Sequence, residues 1–417
     1  MRVIPSLLIA LSLSACGGRL IPQSANSPSA KAPAARAAVI TKATPIAPAP
    51  VTVVAGQNAL GLGVLSATLS PGEAPYDATS ATRALKAFRI SCPALIKRTD
   101  QSGLTTPADW RPACAAAGGW ADSDARSFFE QNFDLAQIGD GKAFATGYYE
   151  PEIAGSRTRS ERYSVPVYKR PAELVELDLG QFSDSLKGKK IRGRVDGKTF
   201  IPFSDRTAIE TGSLEGRGLE IAWAADAIDF FVLQIQGSGR LRLPGGEVMR
   251  IGYDGQNGRD YTGIGKLMKD RGLLGPGQSS MQGIEGYLRA HPQEGQAIMR
   301  ENKSWVFFKE ITGAGPLGAL NSPVSARASV ATDPQYVPLG APVLLSMDRA
   351  EANGVWIAQD TGGAIKGSNR FDTFWGAGDD ARATAGGMSA RGTAFVFLPK
   401  GVIARIAAEA GNAPSQR

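Results

Sequence analysis

The sequence predicts a mainly β fold with helices at its periphery, and three observations carry that expectation. Glycine (50 of 417 residues) and proline (26) are frequent enough to favour turns and short strands over long helices. From Lys142 onward, short apolar segments recur between glycine turns. Helical periodicity is confined to two early stretches and one later interlude. Hydrophobic residues make up 43% and charged residues 20%, so most of the chain should fold, as two ordinary domains or one large one.

The elements follow in order. Met1-Arg2 is a short basic start, and Val3–Leu13 is apolar but too short to span a bilayer. The segment ends in Leu13-Ser14-Ala15-Cys16-Gly17, which resembles the bacterial lipoprotein signal, where cleavage precedes a cysteine whose sulfur is then acylated. The resemblance implies a signal peptide over 1–15 and a lipid anchor on Cys16. With Gly17 in place of Asp, it also implies the periplasmic face of the outer membrane. An ordinary secretory signal is the competing reading. Residues 16–58 are rich in Ala, Pro and Ser, and the first acidic residue of the chain is Glu73. Such a segment buries too little apolar surface to fold and reads as a tether.

Ala81–Lys97 and Ser123–Phe133 read as helices, the second after a capping candidate at Asp122 or Ser123. Strands are expected at Ser164–Tyr168, Leu219–Trp223, Asp229–Gln236, Arg240–Leu243 and Glu247–Tyr253. A helical interlude covers Gly263–Arg271 and Met281–Arg300. Strands resume at Trp305–Lys309, Ala326–Ala331, Pro342–Met347, Gly354–Gln359 and Thr393–Leu398. No internal repeat is evident.

Composition excludes several chemistries. The formal charge is +7, or +6 once residues 1–15 with their one Arg are removed, and it is spread along the chain. That suits weak attraction to polyanionic surfaces, or no specific role, and not nucleic-acid binding. The single histidine, His291, precedes Pro292 where one helix should end and another begin, which leaves no Ser-His-Asp triad and no multi-histidine metal site. The glycine-rich motifs are not phosphate loops, since no Gly-Lys-Ser or Gly-Lys-Thr follows one of them. No metal or cofactor is called for. Cys92 and Cys114 lie in one short stretch; an oxidising compartment lets them pair, and otherwise they are buried thiols.

The densest polar constellation is near the C-terminus. Val355–Ala358 runs as a strand into Gln359-Asp360-Thr361-Gly362-Gly363, with Phe371-Asp372-Thr373-Phe374-Trp375 twelve residues beyond and Thr332-Asp333-Pro334 upstream. A carboxyl at a strand end beside aromatic residues suits sugar chemistry: a general acid must protonate the leaving glycosidic oxygen, and aromatic faces pack on sugar rings. Burial beside Trp356 would raise its pKa. For each aspartate alone, a turn cap or structural hydrogen bond explains the residue as well. Thr146-Gly147-Tyr148-Tyr149 and Gln236-Gly237-Ser238-Gly239 combine hydroxyl and amide groups with glycine, which suits a groove that hydrogen-bonds a polymer; a β-bulge is the plainer explanation of the second.

These motifs, with Gly255–Lys266 (GQNGRDYTGIGK), Ser304–Lys309, Gly340, Asp360–Lys366 and Phe371–Trp375, occur in an order that resembles the membrane-bound lytic murein transglycosylase A family over roughly 140–400. The last part also resembles the three-aspartate domain, whose acidic positions correspond to Asp333, Asp360 and Asp372. The resemblance implies a double-psi β-barrel within a large domain (59–153 and 304–405). It also implies an inserted β-rich domain (154–303), with a glycan groove between the two. It further implies peptidoglycan as the substrate partner and no metal. Asp360 would be the acid and then the base. Asp372 and Asp333 would assist by orientation or electrostatics, and Thr146, Tyr148, Gln236 and Ser238 would contact glycan. An inverting hydrolase on the same barrel, with Asp372 as base, and a non-catalytic wall-binding lipoprotein are the alternatives.

Overall fold

A computed structural model describes residues 40–52, 55–275, 278, 280–313 and 315–411. The signal peptide, Cys16 and the first part of the tether lie outside the described residues.

The fold is mostly β, built around a closed six-stranded barrel. Going round it, Ser389–Pro399 pairs with Pro342–Met347, then come Gly354–Asp360, Ser329–Ala331, Arg370–Ala377 and Lys142–Glu150, which pairs back with Ser389–Pro399. Two of the pairings are parallel: Ser329–Ala331 with Gly354–Asp360, and Arg370–Ala377 with Lys142–Glu150. Phe133–Ile138 and Val64–Ser66 extend the sheet outward from Ser389–Pro399. The central strands are buried on both faces, which is why Pro342–Met347 and Gly354–Gln359 read as continuous apolar runs.

Helices cover the barrel on one side. Ala78–Leu95 starts at Asp77, whose carboxylate accepts from the Ser80 amide, and its buried face carries Leu85, Phe88 and Leu95. Helix Pro107–Gly119 went unread in the sequence, although its start is signalled: Pro107 takes the first position, and Asp109 accepts from the amide and hydroxyl of Thr106. Between these helices and the barrel lies an aromatic cluster of Phe88, Trp110, Phe128, Phe129, Phe133 and Phe397. Truncating Phe88 to Ala there would cost about 3–5 kcal/mol. Cys92 and Cys114 are bridged, with Cα atoms 5.5 Å apart, and so tie the two helices together.

The second unit of structure is entered at Pro151 and holds a six-stranded sheet, a separate three-stranded sheet and several helices. Strand Val306–Glu310 pairs with Val248–Gln256 of this sheet, so the chain returns to the barrel after residue 310 and not at 304 as the motifs suggest. Asp229–Gln236, expected as a strand, is part of a helix, Ala227–Gln236. Its core of Phe230, Phe231, Val232 and Leu233 is buried all round, which hides the helical period. The ends decide the matter: Asp226 caps the start at the Asp229 amide (2.8 Å), and Gly237 ends it at φ 78°. The interlude is interrupted as His291-Pro292 indicates, into Met281–Ala290 and Pro292–Glu301.

The last part of the expected tether is not free. Thr41 is held at both ends, its amide on Glu351 Oε1 (2.8 Å) and its carbonyl accepting from the Ala350 amide (2.8 Å). The Ile46 amide donates to Ser346 Oγ (2.9 Å), and the buried Gln137 amide exchanges hydrogen bonds with Ala49. Ile46 packs on the barrel core. Residues 41–49 therefore form a strap along the outside of the barrel.

Breaking the Cys92–Cys114 bridge should cost about 3 kcal/mol. Thermal unfolding with and without reductant is expected to show a melting temperature lower by several degrees in the reduced protein.

Candidate active site

Asp360 ends the strand Gly354–Asp360, and the chain fixes that strand from behind. Gln359, fully buried, donates from its side-chain amide to the Ala87 carbonyl and to Ser91 Oγ (both 3.0 Å), and its oxygen accepts from the Ser329 hydroxyl. Alternation along the strand then turns the Asp360 carboxyl to the opposite side, toward the cleft between barrel and insert. Oδ1 accepts from the Thr361 amide (2.9 Å) and the Ala319 amide (3.1 Å), while Oδ2 accepts from the Tyr148 hydroxyl (2.9 Å). Ala319 belongs to the return segment from the insert. That segment can lie so close because position 318 is glycine: a Cβ there would stand 2.4 Å from the Gln359 carbonyl oxygen.

Asp372 comes from the neighbouring wall. Parallel pairing of Arg370–Ala377 with Lys142–Glu150 sets Asp372 beside Thr146. The Thr146 hydroxyl donates to Asp372 Oδ1 at 2.6 Å and accepts from Arg370 Nη2 at 2.9 Å. The guanidinium of Arg370 stacks on Phe144, 4.9 Å from its ring centre. A relay of Arg370, Thr146 and Asp372 therefore runs along one face of two adjacent strands.

Asp360 and Asp372 are each half-buried. Burial pushes Asp360 up to about 6, against the lowering effect of the Thr361 amide, the Tyr148 hydroxyl and the Ala319 amide; the charge of Asp372 adds to the rise. Burial likewise lifts Asp372 to about 6, opposed by the Thr146 hydroxyl and the Arg370 charge. The phenol of Tyr148 is held well above its ordinary value, by burial and by Asp360. Two carboxyls raised to about 6 on two strands of one barrel suit proton transfer near neutral pH.

The other expected site residues take varied positions. Asp333 serves at one remove: its oxygens accept from the amides of Gln335 (3.2 Å) and Gly367 (2.9 Å), which stitches the turn after Ser329–Ala331 to the loop that follows Asp360. Tyr148 reaches Asp360 itself. Gln236 lies on the insert side, where its side-chain oxygen accepts from the Tyr149 amide (3.0 Å) and couples the helix Ala227–Gln236 to the barrel. Ser238 is buried at the head of the strand Ser238–Arg242.

Two residues were overlooked in the sequence. Arg370 orients Thr146. Tyr261, from the insert, faces the loop after Asp360: a Cβ on Gly363 would lie 3.9 Å from the Tyr261 Cβ. Its phenol is raised by burial and by the charge of Asp372. Tyr261 sits inside the Gly255–Lys266 motif, which is the signal that marks it. His291 is exposed and stacks on Tyr287, away from this chemistry. Among the described residues, no three His, Cys, Asp or Glu side chains are grouped to hold a metal ion.

Fold and site together define a closed six-stranded barrel that carries two carboxyls raised to about 6 and is interrupted by a second β-rich unit. The MltA specific insert domain model matches residues 144–309, and the 3D domain model matches 328–398. The membrane-bound lytic murein transglycosylase A of Escherichia coli K12 is 30% identical over 292 residues, covering 66% of this chain and 72% of the relative. The crystal structure of MltA from Neisseria gonorrhoeae, monoclinic form, superposes with a TM-score of 0.68 at 34% identity, covering 87% of this chain and 98% of its own. A crystal structure of Escherichia coli MltA with bound chitohexaose superposes at 0.57 with 26% identity, covering 81% and 94%. The chain belongs to the membrane-bound lytic murein transglycosylase A family.

Two outcomes follow from the electrostatics. In Tyr148→Phe, the hydroxyl that stabilises the Asp360 carboxylate is gone, so carbon-13 NMR titration of the aspartate carboxyls should place Asp360 higher than in the unaltered protein. Folded-state values near 6, above the unfolded value of 3.8, mean that the folded protein binds more protons between those limits. Stability therefore falls as pH rises from about 4 to about 6 and stays lower above. Asparagine mimics the protonated acid, so Asp360→Asn should raise the melting temperature at pH 7 and change it little at pH 4.

Proposed function

We propose that this protein is a lytic transglycosylase that cleaves the β-1,4 bond between N-acetylmuramic acid and N-acetylglucosamine in peptidoglycan. The observation that carries the reading is the Asp360 carboxyl: partly buried, raised to about 6 and gripped by three donors at a cleft. Membership of a family named for this activity supports the substrate, as does the sugar oligomer bound by the Escherichia coli relative.

Protonated Asp360 gives its proton to the glycosidic oxygen, and the bond from that oxygen to the muramic anomeric carbon breaks. The positive charge that develops on the sugar is offset by the Asp372 carboxylate, held in place by Thr146 and Arg370. Ionised Asp360 then takes the proton of the C6 hydroxyl of the same sugar. That oxygen bonds to the anomeric carbon and closes a 1,6-anhydro ring. The proton lost in the first step is regained in the second, so one carboxyl serves twice. The nucleophile is intramolecular and has a high effective concentration, so no water need be positioned.

The raised pKa of Asp372 favours one second reading, an inverting hydrolase in which Asp372 activates water. The product separates them: anhydro ends for the lyase, reducing ends for the hydrolase. For location, we place the protein on the periplasmic face of the outer membrane, anchored through Cys16. The Cys92–Cys114 bridge supports an oxidising compartment. Among the described residues no helix is long and apolar enough to cross a membrane.

Digestion of purified murein followed by mass analysis of the muropeptides is the test. The unaltered protein should release 1,6-anhydro ends, and Asp360→Asn should lower the rate by a factor of about a thousand or more while still binding glycan. Near-normal release by the Asn variant would remove Asp360 from its assigned role.

A further inference from the structure

The insert contains a cavity of about 590 Å³ that the chemistry above does not use. Its volume is that of a small-ligand site. Asp360 is not among the residues that line it. The helix Ala227–Gln236 touches the barrel through Gln236 at its C-terminal end, whereas Asp226, Ala227 and Ile228 at its other end line the cavity. Ten helical residues separate the two ends by about 15 Å.

The lining has a definite chemistry. Tyr168, Phe230 and Trp305 form a buried aromatic wall, and half-buried Trp223 stands among them. Arg159 lies over the Trp223 ring, 5.2 Å from its centre, and pairs with Glu215 at 3.3 Å; both are exposed. Trp305 is 2% exposed, and its indole N–H has no hydrogen-bond partner among the described residues. Aromatic faces match the C–H faces of a sugar ring and the methyl of an acetamido group, and planar charged groups at the edge match the sugar's hydroxyls.

We propose that this cavity is a second, non-catalytic site for an N-acetylated hexosamine unit of a glycan, by which the insert holds the polymer while the cleft works on it. The inference rests on the glycan reading of the cleft but is tested apart from it. The six tryptophans give six indole N–H signals in nitrogen-15 NMR of the full chain, and Trp305→Phe and Trp223→Phe identify two of them. Titration with chitotetraose should shift both the Trp305 and Trp223 signals. In Trp223→Ala, melting within a few degrees of the unaltered protein, the Trp305 signal should no longer move, and binding to intact murein sacculi should weaken by roughly fivefold. Trp305 and Trp223 signals that stay still at saturating chitotetraose would overturn the proposal, as would shifts produced by a free stem tripeptide and not by the sugar. If those signals stay still while murein digestion yields anhydro ends, the second site falls and the lyase stands. If they move and no anhydro ends form, the second site stands without the lyase.

Discussion

The placement of Asp360 depends on the buried side-chain amide of its neighbour, Gln359. Three partners from two elements satisfy that amide in the dry space between the Ala78–Leu95 helix and the barrel. An amide buried there without them would carry a desolvation cost, so the strand has one favourable register against the helix. The Ser80 hydroxyl accepts from the Val355 amide (2.9 Å) near the other end of the same strand. The helical layer thus acts as a clamp, and strand alternation converts the clamp into a direction for the Asp360 carboxyl.

Around this fixed point the site is assembled from parts with different duties. The barrel supplies both acids, and Thr146, Tyr148 and Arg370 hold them from strands locked by sheet pairing, while the Ala319 and Thr361 amides reach Asp360 from outside the strands. The insert contributes Tyr261 from across the cleft and grips the barrel near the crossing, through Gln236 on Tyr149 and through the ion pair of Arg382 with Glu285.

Much of the barrel was legible because its central strands are long apolar runs bounded by glycine. The strand carrying Asp372 was harder to see: Arg370, Asp372 and Thr373 interrupt it with polar groups that are paired with Thr146, which is distant in sequence. The helix taken for a strand, Ala227–Gln236, failed for the opposite reason, since an element buried on every side shows no period. Asp360 and Asp372 could be singled out from motif and strand end, and Thr146 as a polar residue in a glycine-containing segment. Their hydrogen bonds join residues more than 200 positions apart, and no local pattern encodes such partners. Tyr148 shows the limit plainly: an aromatic residue near a presumed groove reads as a sugar contact, whereas its hydroxyl is committed to Asp360.

The strap over residues 41–49 changes what an N-terminal anchor can do. Because Thr41 and Ile46 are bound to the barrel, the chain between the proposed attachment at Cys16 and the body is roughly 24 residues, with a contour no longer than about 80 Å. The leash also leaves the body from a fixed spot beside Glu351, so the barrel cannot roll freely about its tether. The enzyme would sample a shallow shell of wall next to its membrane, with its orientation partly set by where the leash departs.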